Sequence, residues 1–137
     1  MNDALDNLRS ALARADAVRP KVGGFPYLAE TLRQSGATRC RMAVPSNAML
    51  YLTADGPVAV QGEPLVTGMV GVPRFDRRAL IAALRSDQAG ETRFPEFVQG
   101  CWNAGVVWYE VDLDERTCTY HGADGDSYAE SYPAVEV

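Results

Sequence analysis

The strongest constraint on this chain is that it is written twice. A shift of 69 positions, without a gap, lays residues 1–68 over residues 70–137. Phe25-Pro26 then falls on Phe94-Pro95, Gly36 on Gly105, Tyr51 on Tyr120, and Ala54-Asp55-Gly56 on Ala123-Asp124-Gly125. Arg9 meets Arg78, Ala13 meets Ala82, Pro64 meets Pro133 and Val66 meets Val135. Eleven identities in 68 positions are few. They fall, however, where backbone geometry restricts the residue: helix starts, helix ends and turn tips. Shared turn preference is the competing cause, and the placement favours an internal duplication.

Each half reads the same way. Leu5, Leu8, Leu12, Ala15 and Val18 recur at helical spacing behind Asn2 or Asp3 as a cap, and Leu80, Ile81 and Leu84 do so behind Asp76. After a glycine break, Phe-Pro opens a second helix that ends at Gly36 or Gly105. Alternating strands follow at 37–44 and 48–54, matched by 106–113 and 116–122. Ser46-Asn47 and Asp114-Glu115 form the hairpin tips, and Asp55-Gly56 and Asp124-Gly125 turn into a third short strand. The expected fold is α+β. Residues 1–137 form one domain of two helix-helix-three-strand repeats (1–68 and 70–137), related by a pseudo-two-fold axis, with antiparallel sheets covered by helices on one face. Whether the repeats share one sheet or pack two is left open at this level.

Composition narrows the function. The chain has 13 Lys and Arg against 18 Asp and Glu, a net charge of −5. Such a chain is repelled by phosphate backbones, which argues against nucleic acid as a partner. The longest apolar runs fall far short of the roughly 20 residues of a membrane span. The opening MNDALDNLRS has neither the basic nor the apolar region of a secretion signal. Three cysteines without framework spacing suit a reducing compartment. A cytoplasmic location is expected, with no membrane partner.

The runs FPYLAETLRQSGATR (25–39), RFPEFVQGCWNAGVVWYEVDLDERTCTYHGADG (93–125) and the closing YPAVEV resemble the YbcV-like family. That bacterial and prophage-associated domain is of unknown function and often labelled phage envelope protein. The resemblance covers residue 20 to the end. Its most specific parts are Gly-Val-x-x-Tyr-Glu-Val-Asp-Leu at 105–113 and Thr-Cys-Thr-Tyr at 117–120. Arg39-Cys40-Arg41 departs from the Arg-Tyr-Glu expected there. The resemblance implies a fold but no reaction, substrate or catalytic set.

His121 is the only histidine and the natural candidate for acid-base work near neutral pH. A two-residue tip at Asp114-Glu115 pairs Trp108 with His121, Glu110 with Thr119 and Asp112 with Thr117 on one face. Tyr109 then pairs with Tyr120, and Val111 with Cys118, on the core face. His121 with Glu110 as its orienter is the candidate catalytic pair, and Trp108, Asp112 and Thr119 are candidate ligand contacts. A solvated sheet face is the competing reading. The shift places Arg39 and Arg41 at the positions of Trp108 and Glu110, with Leu50 and Leu52 opposite. One outer face is therefore basic and aliphatic, the other acidic and aromatic, and Arg39 and Arg41 join the candidate binding residues.

Cys118 and His121 sit on opposite strand faces, so they cannot share an ion, and buried cysteine as a small hydrophobe is the expectation for Cys40, Cys101 and Cys118. Neither a phosphate loop nor a G-x-S-x-G elbow is present, and Asp124, Asp126 and Glu130 lack calcium-loop spacing. No metal and no cofactor are expected. Tyr128 and Tyr132 share a face, as core or interface. The leading expectation is a non-enzymatic binding or protein-interaction module that forms a homodimer or takes a protein partner. The alternative is a small-molecule enzyme or ligand-binding protein centred on Trp108, Glu110, Thr119 and His121.

Overall fold

Ala4, Leu8, Ala11 and Ala15 are spaced to line one helical face, and they are the buried residues of helix α1 (Asp3–Val18). Helix α2 (Phe25–Gln34) starts on Phe25-Pro26, and Gly36 beyond its end takes φ +103. Strands β1 (Ala37–Ala43), β2 (Ala48–Thr53) and β3 (Val58–Gln61) complete the first half. The second half repeats the order in helices α3 (Arg77–Gln88) and α4 (Phe94–Asn103) and strands β4 (Val106–Asp112), β5 (Thr117–Gly122) and β6 (Ser127–Ser131). The computed structural model describes residues 3–137. Asn2, one expected cap, lies outside them, and Asp3 is the first residue of α1 itself. Asp76 does cap α3, its Oδ1 accepting from the Ala79 N–H at 3.1 Å.

All six strands join one antiparallel sheet in the order β3-β2-β1-β4-β5-β6. The two hairpins meet at the β1–β4 seam, where Arg39 pairs with Asp112, Arg41 with Glu110 and Ala43 with Trp108. Arg41 and Glu110 are the positions equated by the 69-residue shift, and they lie directly opposite each other. The β4–β5 register is Trp108 with His121, Tyr109 with Tyr120 and Glu110 with Thr119, as the tip residues imply. The first tip lies one residue earlier than expected. Ala43 pairs with Ala48, centring the turn on Pro45-Ser46, and Asn47 takes φ +54.

One face of the sheet is the core. Cys40, Met42, Tyr109, Val111, Cys118 and Tyr120 are buried there with Leu8, Leu32, Leu80, Leu84, Val98 and Cys101 from the four helices. Burying one such aliphatic side chain contributes about 1.5–3 kcal/mol. Burial pushes the thiols of Cys40, Cys101 and Cys118 up to about 12, and all three are free. They behave as apolar filler.

The connection between the halves, residues 62–76, runs along one end of the sheet. Leu65 N–H donates to Pro45 O (3.0 Å) and Asp76 N–H to Ala104 O (2.8 Å). At the far edge, Glu130 of β6 accepts two bonds from Arg85 of α3 (3.1 and 2.6 Å), and the Tyr128 hydroxyl donates to the same carboxylate. Arg77 sits 5.0 Å above the Tyr128 ring. These contacts fasten the edge strand to the helical layer.

Candidate functional site

Among the described residues no helix lies over the second sheet face, and every strand residue that points away from the core is exposed or half-buried. Three rows of side chains cross it. The middle row reads Ala59, Leu50, Arg41, Glu110, Thr119 and Ala129 from β3 to β6. The row towards the connecting segment reads Gln61, Ala48, Ala43, Trp108, His121 and Ser127. The third holds Leu52, Arg39, Asp112 and Thr117, closed by Ser131 of β6.

The alternation that places Tyr109 and Tyr120 in the core lifts Trp108 and His121 outward. Their rings stack at 3.9 Å between centroids and 8° between planes. Trp108 remains 39% exposed, a large apolar surface on an open face. Glu110 and His121 are diagonal neighbours, yet the Glu110 carboxylate is engaged elsewhere. Its Oε2 accepts from Arg41 Nε, and its Oε1 lies 3.8 Å from Arg39 Nη1. Arg39 Nη2 also stands 3.8 Å from Asp112 Oδ2. Asp112 holds the β4–β5 turn as well, its Oδ1 accepting from the N–H groups of Asp114 (3.2 Å) and Glu115 (3.0 Å).

The arrangement therefore brings together all seven candidates, but in two sets. Trp108 and His121 form an aromatic plate, flanked by Thr119. Arg39, Arg41, Glu110 and Asp112 form a charge lattice across the seam. A His121–Glu110 hydrogen-bonded dyad of the acid-base kind is not what the geometry builds. Beside the lattice, Thr38, Arg39, Leu52, Asp112, Asp114 and Glu115 surround a shallow depression of about 490 Å³. Among the described residues, no group of three or more His, Cys, Asp or Glu side chains is placed to hold a metal ion. No described helix is long and apolar enough to cross a membrane.

Residues 14–131 match the family described as "Protein of unknown function (DUF1398)". The chain belongs to that family. Similar curated proteins include the uncharacterized protein Rv2012 of Mycobacterium tuberculosis and the uncharacterized protein Mb2035 of Mycobacterium bovis. Each is 50% identical over 136 residues, covering 99% of this chain and 83% of the relative. The family thus supplies kinship and leaves the chemistry to the site itself.

Divergence of the two outer faces suggests that they meet across the pseudo-axis or between two subunits by Arg-to-carboxylate pairing, and the β1–β4 register sets Arg39 and Arg41 beside Asp112 and Glu110 within one chain. The only sequence signal for that register is the shift itself, which equates Arg41 with Glu110. Residue-level reading passed over Glu130 as anything but a loose calcium-loop oxygen. The Arg85 hydrogen bonds hold the Glu130 carboxyl below its usual range, as expected of a carboxylate in an ion pair.

Proposed function

We propose that this chain is a non-enzymatic, cytoplasmic binding module that docks a protein partner on the open sheet face. The observation that carries this reading is the exposed Trp108–His121 plate beside a seam of paired charges, on a broad face with no helix over it. Aromatic side chains and arginines ringed by polar residues are what protein interfaces are built from. Enzyme pockets instead converge polar groups on an enclosed volume. Here Glu110 is turned to Arg41, which leaves His121 without the carboxylate orienter that an acid-base role requires.

Two further readings belong to the same proposal. We infer a duplication from the shift, which carries α2 onto α4, β1 onto β4 and β2 onto β5 with identical bounds. We infer kinship with the YbcV-like domains from the segments at 105–113 and 117–120. A small polar ligand seated in the depression beside Arg39 and Asp112 is the alternative occupant.

The test is a photo-crosslinking amino acid placed at Thr119 on the open face, or at exposed Glu96 on helix α4, in living cells. Protein adducts are expected from position 119 and not from position 96. Adducts from neither position contradict the proposal.

A further inference from the structure

The geometry points to a second copy of this chain as the occupant of the open face, docked sheet to sheet about a two-fold axis parallel to the strands. This rests on the reading of that face as a docking surface, and it adds who the partner is. Rotation about an axis along the strands keeps each residue's height along its strand and exchanges left for right. Strand β1 of one copy then lies over β4 of the other, β2 over β5, and β3 over β6. Face-to-face sheets packed with nearly aligned strands are a standard arrangement.

Each row then meets its complement. In the middle row Arg41 lies over Glu110 of the second copy, and Glu110 over its Arg41. The four side chains alternate in sign around the axis. Arg41 uses Nε for the Glu110 of its own chain, which leaves the other guanidinium donors for the carboxylate opposite. Leu50 lies over Thr119 and Ala59 over Ala129. In the next row the protruding Trp108 and His121 face the small Ala43 and Ala48. In the third, Arg39 lies over Asp112 and Leu52 over Thr117. Cations meet anions in the middle and third rows, and in the row between the connecting segment and the middle the large rings meet small alanines. The other in-plane axis, perpendicular to the strands, sets Arg41 on Arg41 and Glu110 on Glu110, a like-charge arrangement that opposes association.

The size of the face is adequate. Six strands about 4.8 Å apart, each presenting about six residues at 3.3 Å, make a patch of roughly 30 by 20 Å. Corrugated by side chains, such a patch approaches the roughly 800 Å² per partner of a standard specific interface.

The experiment is sedimentation equilibrium on the full chain across a range of concentrations. The wild type is expected to reach twice its 14.9 kDa chain mass. Leu50→Glu and Thr119→Arg lie three strands apart in one chain, yet opposite each other across the two copies. Each single variant is expected to weaken self-association at least about tenfold, by burying an unpaired charge. An equimolar mixture is expected to return to within about twofold of wild type, because the new Glu and Arg then face one another. The exposed pair Ala59→Glu and Ala129→Arg repeats the test should either first variant fold poorly. A wild type that stays monomeric throughout, or mixtures no tighter than the single variants, overturns the inference. If that happens while position 119 still crosslinks to another protein in cells, the docking proposal stands and only its second-copy form falls.

Discussion

The two halves of the molecule agree where the chain turns and differ in the side chains they carry, most sharply in charge on the face turned outward. Gly36 and Gly105 both take a positive φ after the second helix, and Asp55-Gly56 and Asp124-Gly125 both turn the chain into the edge strand. On the open face the same positions hold Arg39, Arg41, Leu50 and Leu52 in one half, and Trp108, Glu110, Thr119 and His121 in the other. Backbone geometry tolerates few residues at a left-handed turn, whereas a sheet face tolerates many. The contrast teaches which positions the fold constrains and which it leaves free. The frame is shared, and the outward side chains make the two halves complementary rather than alike.

The largest expected effect separates two equivalent glycines. A Cβ at Gly105 (φ +85) would lie 2.6 Å from the Arg74 and Phe75 backbone, whereas one at Gly36 (φ +103) would make ordinary contacts with Ala54, at 3.5 Å to its methyl and 3.9 Å to its N. Gly105→Ala is expected to cost about 4 kcal/mol, from strain plus displaced backbone, and Gly36→Ala about 1–2 kcal/mol from strain alone. Urea unfolding of both variants measures this, and equal costs would erase the distinction.

Next comes the helical layer. Leu80 of α3 and Ala11 of α1 are equated by the shift and both are fully buried, so one half fills with leucine a position that the other fills with alanine. Leu80→Ala is expected to cost about 3 kcal/mol through the cavity it leaves, and Ala11→Leu about 1–3 kcal/mol through overpacking. The same unfolding curves decide it.

A smaller effect concerns the sheet edges. Glu130 in β6 corresponds to Gln61 in β3, and only the former is clamped by an arginine. Its folded pKa is depressed by the Arg85 hydrogen bonds. The clamp therefore adds stability above the unfolded glutamate value of about 4.3, and loses it as pH falls through the lower folded value. Glu130→Gln is expected to flatten the acid side of the stability profile below about pH 5 while leaving the profile between about pH 6 and 8 parallel to wild type. An unchanged acid limb would remove the clamp from the account. The smallest effect is His121→Ala, expected to change stability by less than about 1 kcal/mol, because a cross-strand pair on an open face contributes little. A much larger loss by thermal unfolding would make the aromatic plate part of the scaffold.

Much of this frame was legible in the residues, and for physical reasons. Asp76, Phe25-Pro26, Phe94-Pro95 and the two helix-ending glycines announce helix boundaries through capping and fixed φ. The Asp114-Glu115 tip sets a register in which one error would have turned Trp108 inward. The β1–β4 seam was not legible, since alternation tells which face a residue takes and never which strand lies beside it. For that reason the residues leave open whether Arg41 and Glu110 meet within one chain or between two, and the register makes them neighbours within one. The Arg85–Glu130 clamp was hidden likewise, because its partners are 45 residues apart and share no local pattern.

The most direct test of the central claim is the exposure of Trp108 itself. With Trp102→Phe leaving Trp108 as the only tryptophan, iodide quenching of its emission is followed as the purified chain is diluted. Trp108 is expected to be shielded at high concentration and to become quenchable on dilution, with Leu50→Glu shifting the change to higher concentration. Full quenching at every concentration, in the parent and in Leu50→Glu alike, would contradict a face built to be covered by its own second copy.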